Sequence, residues 1–229
     1  MAVSRSQRKK PIAPYKKGIE TKARIYNSTK KMFTLYGYKE ATIQRIADDS
    51  KVPLGLVNYY FKKNEALALA MKEFNESIKK LIRETLAGNY EDPLTEHILF
   101  TRIFFDVVLS NKNSKRLYNE IYTEELIGIE EYDLDSGMLA AIISSFDIDI
   151  TESLFRRLAI AEYGARRELL EDRYDRLNPK TSVDFINFLA TISVRLAGVD
   201  IKSILNCVKK ANDIFDKTDT SKLRFLNWE

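Results

Sequence analysis

The 229-residue chain carries one histidine, His97, and one cysteine, Cys207. One thiol excludes an intrachain disulfide and a Cys-based metal site, and a lone imidazole without a nucleophile signature leaves no catalytic set. The acid pairs Glu124–Glu125, Glu130–Glu131 and Asp147/Asp149 have the oxygen ligands a hard cation prefers. They read more simply as solvated turns. No metal, cofactor or enzymatic activity is therefore expected, and the chemistry on offer is recognition. Residues 52–67, VPLGLVNYYFKKNEAL, gather an amide, two phenols, exposed-type leucines and lysines on a short segment. On the exposed face of a short helix, such residue types can contact base edges or phosphates.

Charge distribution agrees with that chemistry. Residues 1–64 hold 15 Lys+Arg against 4 Asp+Glu, whereas the remainder holds 22 against 29. A basic head on an acidic body places any polyanion at the head. The basic start, MAVSRSQRKKPIAPYKKG, lacks the apolar stretch of a secretory signal. No window approaches the ~18 apolar residues of a membrane span. A cytoplasmic protein with no membrane partner is expected.

The elements that must position these residues are helical. Apolar positions recur every three or four residues and strand alternation is never sustained, so the reading is all-α, with about nine helices. The first spans Ile19–Tyr36, with Ala23, Tyr26, Met32, Phe33 and Tyr36 as its buried stripe and Gly37 as its stop. A short helix over Thr42–Ser50 and a shorter one over Pro53–Phe61 follow, then a long one from Asn64 past Leu67, Met71, Phe74, Ile78 and Leu81. Pro53 loses nothing in a first turn, and Gly55 permits close approach of another backbone. Val52, Val57 and Phe61 are expected to pack on Ile43, Ile46 and Ala47. Three helices of unequal length, the last two short, have the layout of a supported helix-turn-helix. A helical hairpin with no nucleic acid is the alternative.

Further along, Asp92–Pro93 starts a helix through His97, Phe100, Phe104 and Val108. Ser114 opens another that fades near Gly128, and a looser apolar segment covers Ser136–Phe146. Asp149 with Glu152 has capping-box spacing before a helix from Thr151 to about Leu177. Within it Glu162/Arg166 and Arg167/Glu171 read as a solvated face. Ser182 or Thr181 caps a helix to Gly198, and Asp200 caps the last, to about Phe215. The chain divides into a flexible basic arm, residues 1–17, a basic three-helix head, 18–64, and a larger acidic body, 65–229.

The run GYKEATIQRIADDSKVPLGLVNYYFKKNEAL resembles the DNA-binding segment of the TetR family of bacterial transcriptional regulators. The matching positions are Gly37-Tyr38, Thr42, Ile46-Ala47, Val52, Gly55, Val57, Tyr60-Phe61 and Glu65-Ala66-Leu67. The strong resemblance covers residues 19–70, and beyond them it rests on size and helix count. Departures occur at Arg45, Pro53-Leu54, Asn58, Tyr60 and Asn64, where the family commonly carries other residues; they bear on the operator sequence.

The resemblance implies a homodimeric regulator, most often a repressor, released from a palindromic double-stranded DNA operator by a small-molecule effector. Thr42, Tyr60 and Asn64 would lie near phosphates, assisted by Lys62 or Lys63. Gln44, Leu54, Gly55, Leu56, Asn58 and Tyr59 would face the major groove, with Arg45 beside them. Adjacent tyrosines cannot share a face, and the alternative for Tyr59 and Tyr60 is that one of the two packs inward. Arg5, Arg8, Lys9 and Lys10 of the arm either enter a minor groove or form a mobile tail. Phe100, Arg102, Phe104, Tyr118, Tyr122 and Phe146 would line the ligand pocket of the 65–229 body, with ordinary core as the alternative for the aromatic residues and a surface or capping role for Arg102. A surface or capping role is expected for His97. Phe188, Ala190, Ser193, Ala197, Ile204 and Val208 would form the dimer interface. A helical-bundle enzyme or protein-interaction module with an incidental basic head is the competing class.

Overall fold

The computed structural model describes residues 13–89, 91–124, 126 and 136–228. Among them are eleven α-helices and no strand. The arm cations Arg5, Arg8, Lys9 and Lys10, together with Glu125, Gly128, Glu130 and Glu131, lie outside the described residues. Helix α1 spans Ala13–Tyr36, so residues 13–17, read as arm, are its opening turn. Its buried stripe is Ile25, Tyr26, Thr29, Met32 and Phe33. Ala23 and Tyr36 are exposed instead; the Tyr36 ring is turned outward beneath the Arg45 guanidinium, 4.6 Å away. Gly37 ends the helix at φ +87°, a left-handed conformation that glycine adopts without penalty.

Helix α2 (Ile43–Ser50) is capped by Thr42, whose hydroxyl accepts from Arg45 N at 3.3 Å. Such a cap contributes about 1 kcal/mol. Lys51 closes α2 in the left-handed region, and Val52 N donates back to Ala47 O, the reversal that turns the chain toward α3. Helix α3 is Leu54–Tyr60. Pro53 stands one residue before it, with φ −58° and ψ 141°, rather than within its first turn. Helix α4 (Lys63–Leu86) buries Ala66, Leu67, Ala70, Met71, Phe74, Ile78 and Ile82 at three- and four-residue intervals.

The body is organised around α5 (Pro93–Leu109), which is mostly apolar and buries thirteen of its seventeen residues. It packs against α4, α6 (Lys112–Thr123), α7 (Ser136–Ser144), α9 (Val183–Ala190) and α11 (Ile201–Phe215). Asp92 caps α5 through Thr95 N at 2.9 Å and the Thr95 hydroxyl at 2.7 Å. Helix α6 starts two residues earlier than Ser114 because Asn111 supplies the cap. Helix α8 (Glu152–Arg173) is capped by Thr151, not by Asp149, and a 3₁₀ turn over Tyr174–Arg176 follows it.

Two features raise the count from about nine to eleven. The loose apolar segment is itself helical, as α7. The single helix expected before Gly198 is broken into α9 and α10 (Ile192–Leu196) at Thr191. There the Thr191 hydroxyl donates to Asn187 O at 2.9 Å and accepts from Arg195 Nε at 2.9 Å. A hydroxyl that bonds the preceding turn competes with the regular backbone ladder.

Candidate nucleic-acid interface and its tie to the body

Seven residues of α3 divide cleanly between two sides. Leu54, Gly55, Asn58 and Tyr59 are exposed, at the i, i+1, i+4, i+5 spacing of one helical face. Val57 is buried, and Leu56, Tyr60 and the following Phe61 are partly buried against the core. Tyr59 is 78% exposed, whereas the Tyr60 ring lies edge-on to it at 5.1 Å and packs inward. Phe61 meets the Tyr26 ring of α1 at 5.4 Å. Leu56 was expected on the outer face; its helical phase, one residue from Val57, turns it partly into the core instead.

The polar candidates differ in how free they are. Thr42 spends its oxygen on the α2 cap. Gln44 Nε2 donates to Asp48 Oδ1 at 2.8 Å, and Arg45 donates to Glu40 O at 3.2 Å; both side chains are on the surface. Lys62, exposed, pairs with Glu65 at 3.6 Å. Asn58 and Asn64 are exposed. A Cβ on Gly55 would meet nothing within 4 Å, so only an external partner would make glycine matter there. Lys63 is a different case from the rest. Its Nζ donates to Tyr38 O at 2.6 Å and lies 4.2 Å from the Tyr38 ring centroid. Burial pushes its pKa below the ordinary lysine value, against the opposing pull of Glu120 and Glu40. Lys63 is thus committed inward, because it starts α4 beside the corner between α1 and α2.

That corner is fastened to the body, a feature the sequence reading missed. Tyr38 N and Lys39 N both donate to Glu120 Oε2 of α6, at 2.6 and 3.2 Å. Successive N–H groups beside a left-handed residue form a concave anion site, and here a carboxylate of the body fills it. One turn earlier on α6, Arg116 donates to Leu35 O at 2.8 Å, capping the C-terminal end of α1. Lys39 Nζ pairs with Glu124 at 2.7 Å. The available signal was the i, i+4 pair Arg116/Glu120 together with Gly37, but nothing in sequence links the two segments.

Inside the body, Phe104, Tyr118 and Tyr122 come together with Phe100 in one aromatic cluster: Phe104–Tyr118 at 5.2 Å, Tyr118–Tyr122 at 5.8 Å and Phe100–Phe104 at 6.4 Å. Arg102 is drawn elsewhere, over the Phe215 ring of α11 at 4.6 Å, and Phe146 is only partly buried at the margin. Beside the cluster, Glu162 and Arg166 are not a solvated face. Their side chains are 17% and 16% exposed and meet at 2.6 Å, with Arg166 also donating to Leu189 O at 3.2 Å. Burial pushes the Glu162 carboxyl up, but Arg166, His97 and a hydrogen bond with Ser193 outweigh it and hold the pKa below the usual value. His97, expected on the surface or at a cap, is partly buried against the body, with Nδ1 3.2 Å from Met138 Sδ. Burial lowers its pKa to about 4.

Of the expected interface residues, Ala190, Ser193 and Ile204 are buried in the core of the single chain. Phe188 is exposed, and Ala197 and Val208 are partly so. The exposed large apolar residues of α9–α11 are Phe188, Leu196, Ile201 and Leu205. No helix among the described residues is long and apolar enough to cross a membrane, and no group of three His, Cys, Asp or Glu among them could hold a metal ion. Comparison with protein families, with curated proteins and with solved structures finds no match to this chain.

Proposed function

We propose that the chain is a ligand-responsive transcriptional regulator of the TetR type, with α2 and α3 as its helix-turn-helix. The observation that carries this reading is the division of α3: an outer face of Leu54, Gly55, Asn58 and Tyr59 on a helix held by Val57, Tyr60 and Phe61. That face lies within the basic head, and a helix presenting amide and apolar groups fits the major groove. Asn58 reads a base edge, Leu54 and Tyr59 make apolar contacts, and Arg45, Lys62 and Asn64 meet phosphates. Two copies associate through Phe188, Leu196, Ile201 and Leu205, which places two recognition helices roughly 34 Å apart on a palindromic site.

The effector acts inside the body. Helix α6 carries Tyr118 and Tyr122 on its inner face and Arg116 and Glu120 on the face that grips the α1–α2 corner. A ligand that prefers one position of α6 therefore biases the head as well as the start of α4, and the heads lose operator register.

The test is binding to DNA flanking the chain's own coding region, against random DNA, over a salt series. The expected result is preference for the flanking fragment and a steep fall with salt. Asn58→Ala should reduce that preference. Lys62→Ala should weaken binding to all sequences and lower the salt slope by about 1, whereas Lys63→Ala should act on stability of the corner. Equal affinity for both DNAs, or none at low salt, refutes the reading in favour of a helical bundle with another role.

A further inference from the structure

The segment after α11 crosses the molecule from the body to the N-terminal helices. Helix α11 runs along α5, with the Cys207 thiol donating to Asp92 at 3.3 Å and Phe215 beneath the Arg102 guanidinium. Beyond Phe215 the chain leaves the helix. Thr220 Oγ1 donates to Asp106 Oδ2 at 2.8 Å, one turn along α5 from Arg102. Phe225, 4% exposed, then meets Phe74 of α4 edge-on at 5.2 Å and Tyr118 of α6 at 6.3 Å. Three residues later the Trp228 ring lies 5.7 Å from Lys31 Nζ of α1. The same Nζ is 2.6 Å from Asp49 Oδ1 of α2. One short non-helical stretch thus touches α5, α4, α6 and α1, and through Lys31 it is linked to α2.

Two observations set this stretch apart from an incidental covering. Leu226 is 1% exposed with φ +48°. A leucine occupies that left-handed region only where its surroundings hold it, so the packing of Phe225 and Leu226 keeps the backbone in a costly conformation. Its two aromatic anchors also fall on different parts of the molecule: Phe225 on the body, Trp228 on the N-terminal helices. A segment without a regular hydrogen-bond ladder opens at lower free energy than the helices it joins.

We propose that residues 216–228 are a strap that, alongside the grip of α6 on the α1–α2 corner, fastens α1 to the body, and that its release loosens α1 and its partner α2 while the body stays folded. Phe225 is the plug and Trp228 the clasp. The inference concerns mechanical coupling, and holds whether or not α3 meets DNA.

Amide hydrogen exchange on the full chain tests it. Losing an exposed cation–π contact corresponds to a factor of about two to five in the local opening equilibrium. Trp228→Ala should therefore speed exchange of α1 and α2 amides near Lys31 and Asp49 by about that factor, with α11 unchanged. Phe225→Ala should move the same amides further in the same direction. Should Phe225→Ala fail to fold, Trp228→Ala decides alone. Unchanged exchange in α1–α2 would overturn the proposal, and so would an equal rise in α11, because the strap would then be one more piece of common core.

Discussion

The contact between Gly37 and Glu120 yields a prediction with a sign that chemistry alone would not supply. Glu120→Ala removes a carboxylate that accepts from Tyr38 N at 2.6 Å and Lys39 N at 3.2 Å. Hydrogen bonds to a charged group contribute about 1.5–3 kcal/mol. The Glu120 side chain is 21% exposed, so water replaces part of this and the expected loss is about 1–2 kcal/mol. Gly37→Ala acts twice. At φ +87° an alanine costs about 1–2 kcal/mol in backbone conformation. Its Cβ would also land on the Glu120 carboxylate and displace it from the two N–H groups. The single substitution should therefore cost about 2–4 kcal/mol. In the Glu120→Ala background the obstacle is gone and only the backbone term of about 1–2 kcal/mol remains. Denaturant unfolding of the four proteins closes the cycle, and the expected coupling is about 1–2 kcal/mol of less-than-additive loss. Glu120→Gln, which keeps an acceptor but not the charge, should fall between the parent and Glu120→Ala. Additive losses would refute the argument, since Gly37 would then be needed for its backbone alone.

Two further outcomes follow from the body. His97 has a folded pKa lowered from 6.5 to about 4, so the unfolded chain takes up the proton first. Its contribution is complete above about pH 6.5 and is lost as pH falls toward 4, by about 3 kcal/mol at most. His97→Gln should flatten the stability profile across that window; a profile as steep as the parent's would assign the loss to other groups. Ile204→Ala should cost about 2–5 kcal/mol without altering the association state, because Ile204 is 1% exposed within the single chain. Leu205→Lys, at an exposed position one residue on, should do the reverse, splitting a dimer in sedimentation while leaving each chain's unfolding little changed. Equivalent behaviour of the two variants would remove the α9–α11 face from the interface.

Sequence exposed the helices and hid their partners, for reasons visible at particular residues. Caps and stops are local, so Thr42, Asp92 and Asp200 were readable, as was the left-handed Gly37. The break at Thr191 was not, because threonine hydroxyls bond backward in unbroken helices as well. Glu162 and Arg166 show the limit most clearly. Opposite charges four apart look the same whether the face is wet or enclosed, and only the position of α8 beside Leu189 and Ser193 buries them. Exposed and buried positions of α3 were mostly recoverable from its helical phase. Lys63 was not, since its carbonyl partner at Tyr38 is 25 residues away.

The same limit explains why the coupling helix was invisible. In sequence, the segment opening at Ser114 reads as an ordinary amphipathic helix; in the fold α6 spans Lys112–Thr123, with Leu117, Tyr118, Ile121 and Tyr122 inward. Amphipathic patterning assigns its polar side to solvent by default. In the fold that side faces the end of α1, where Arg116 and Glu120 meet the backbone groups that helix termini leave unpaired. Backbone acceptors and donors have no side-chain signature, so a charged residue aimed at them looks the same as a solvated one. A helix gripping the α1–α2 corner by backbone groups on one side, and packed against Phe104 and Phe225 on the other, cannot shift without both junctions responding. The consequence is directional: substitutions on its polar side should change how the N-terminal helices move, and those on its apolar side how the body folds.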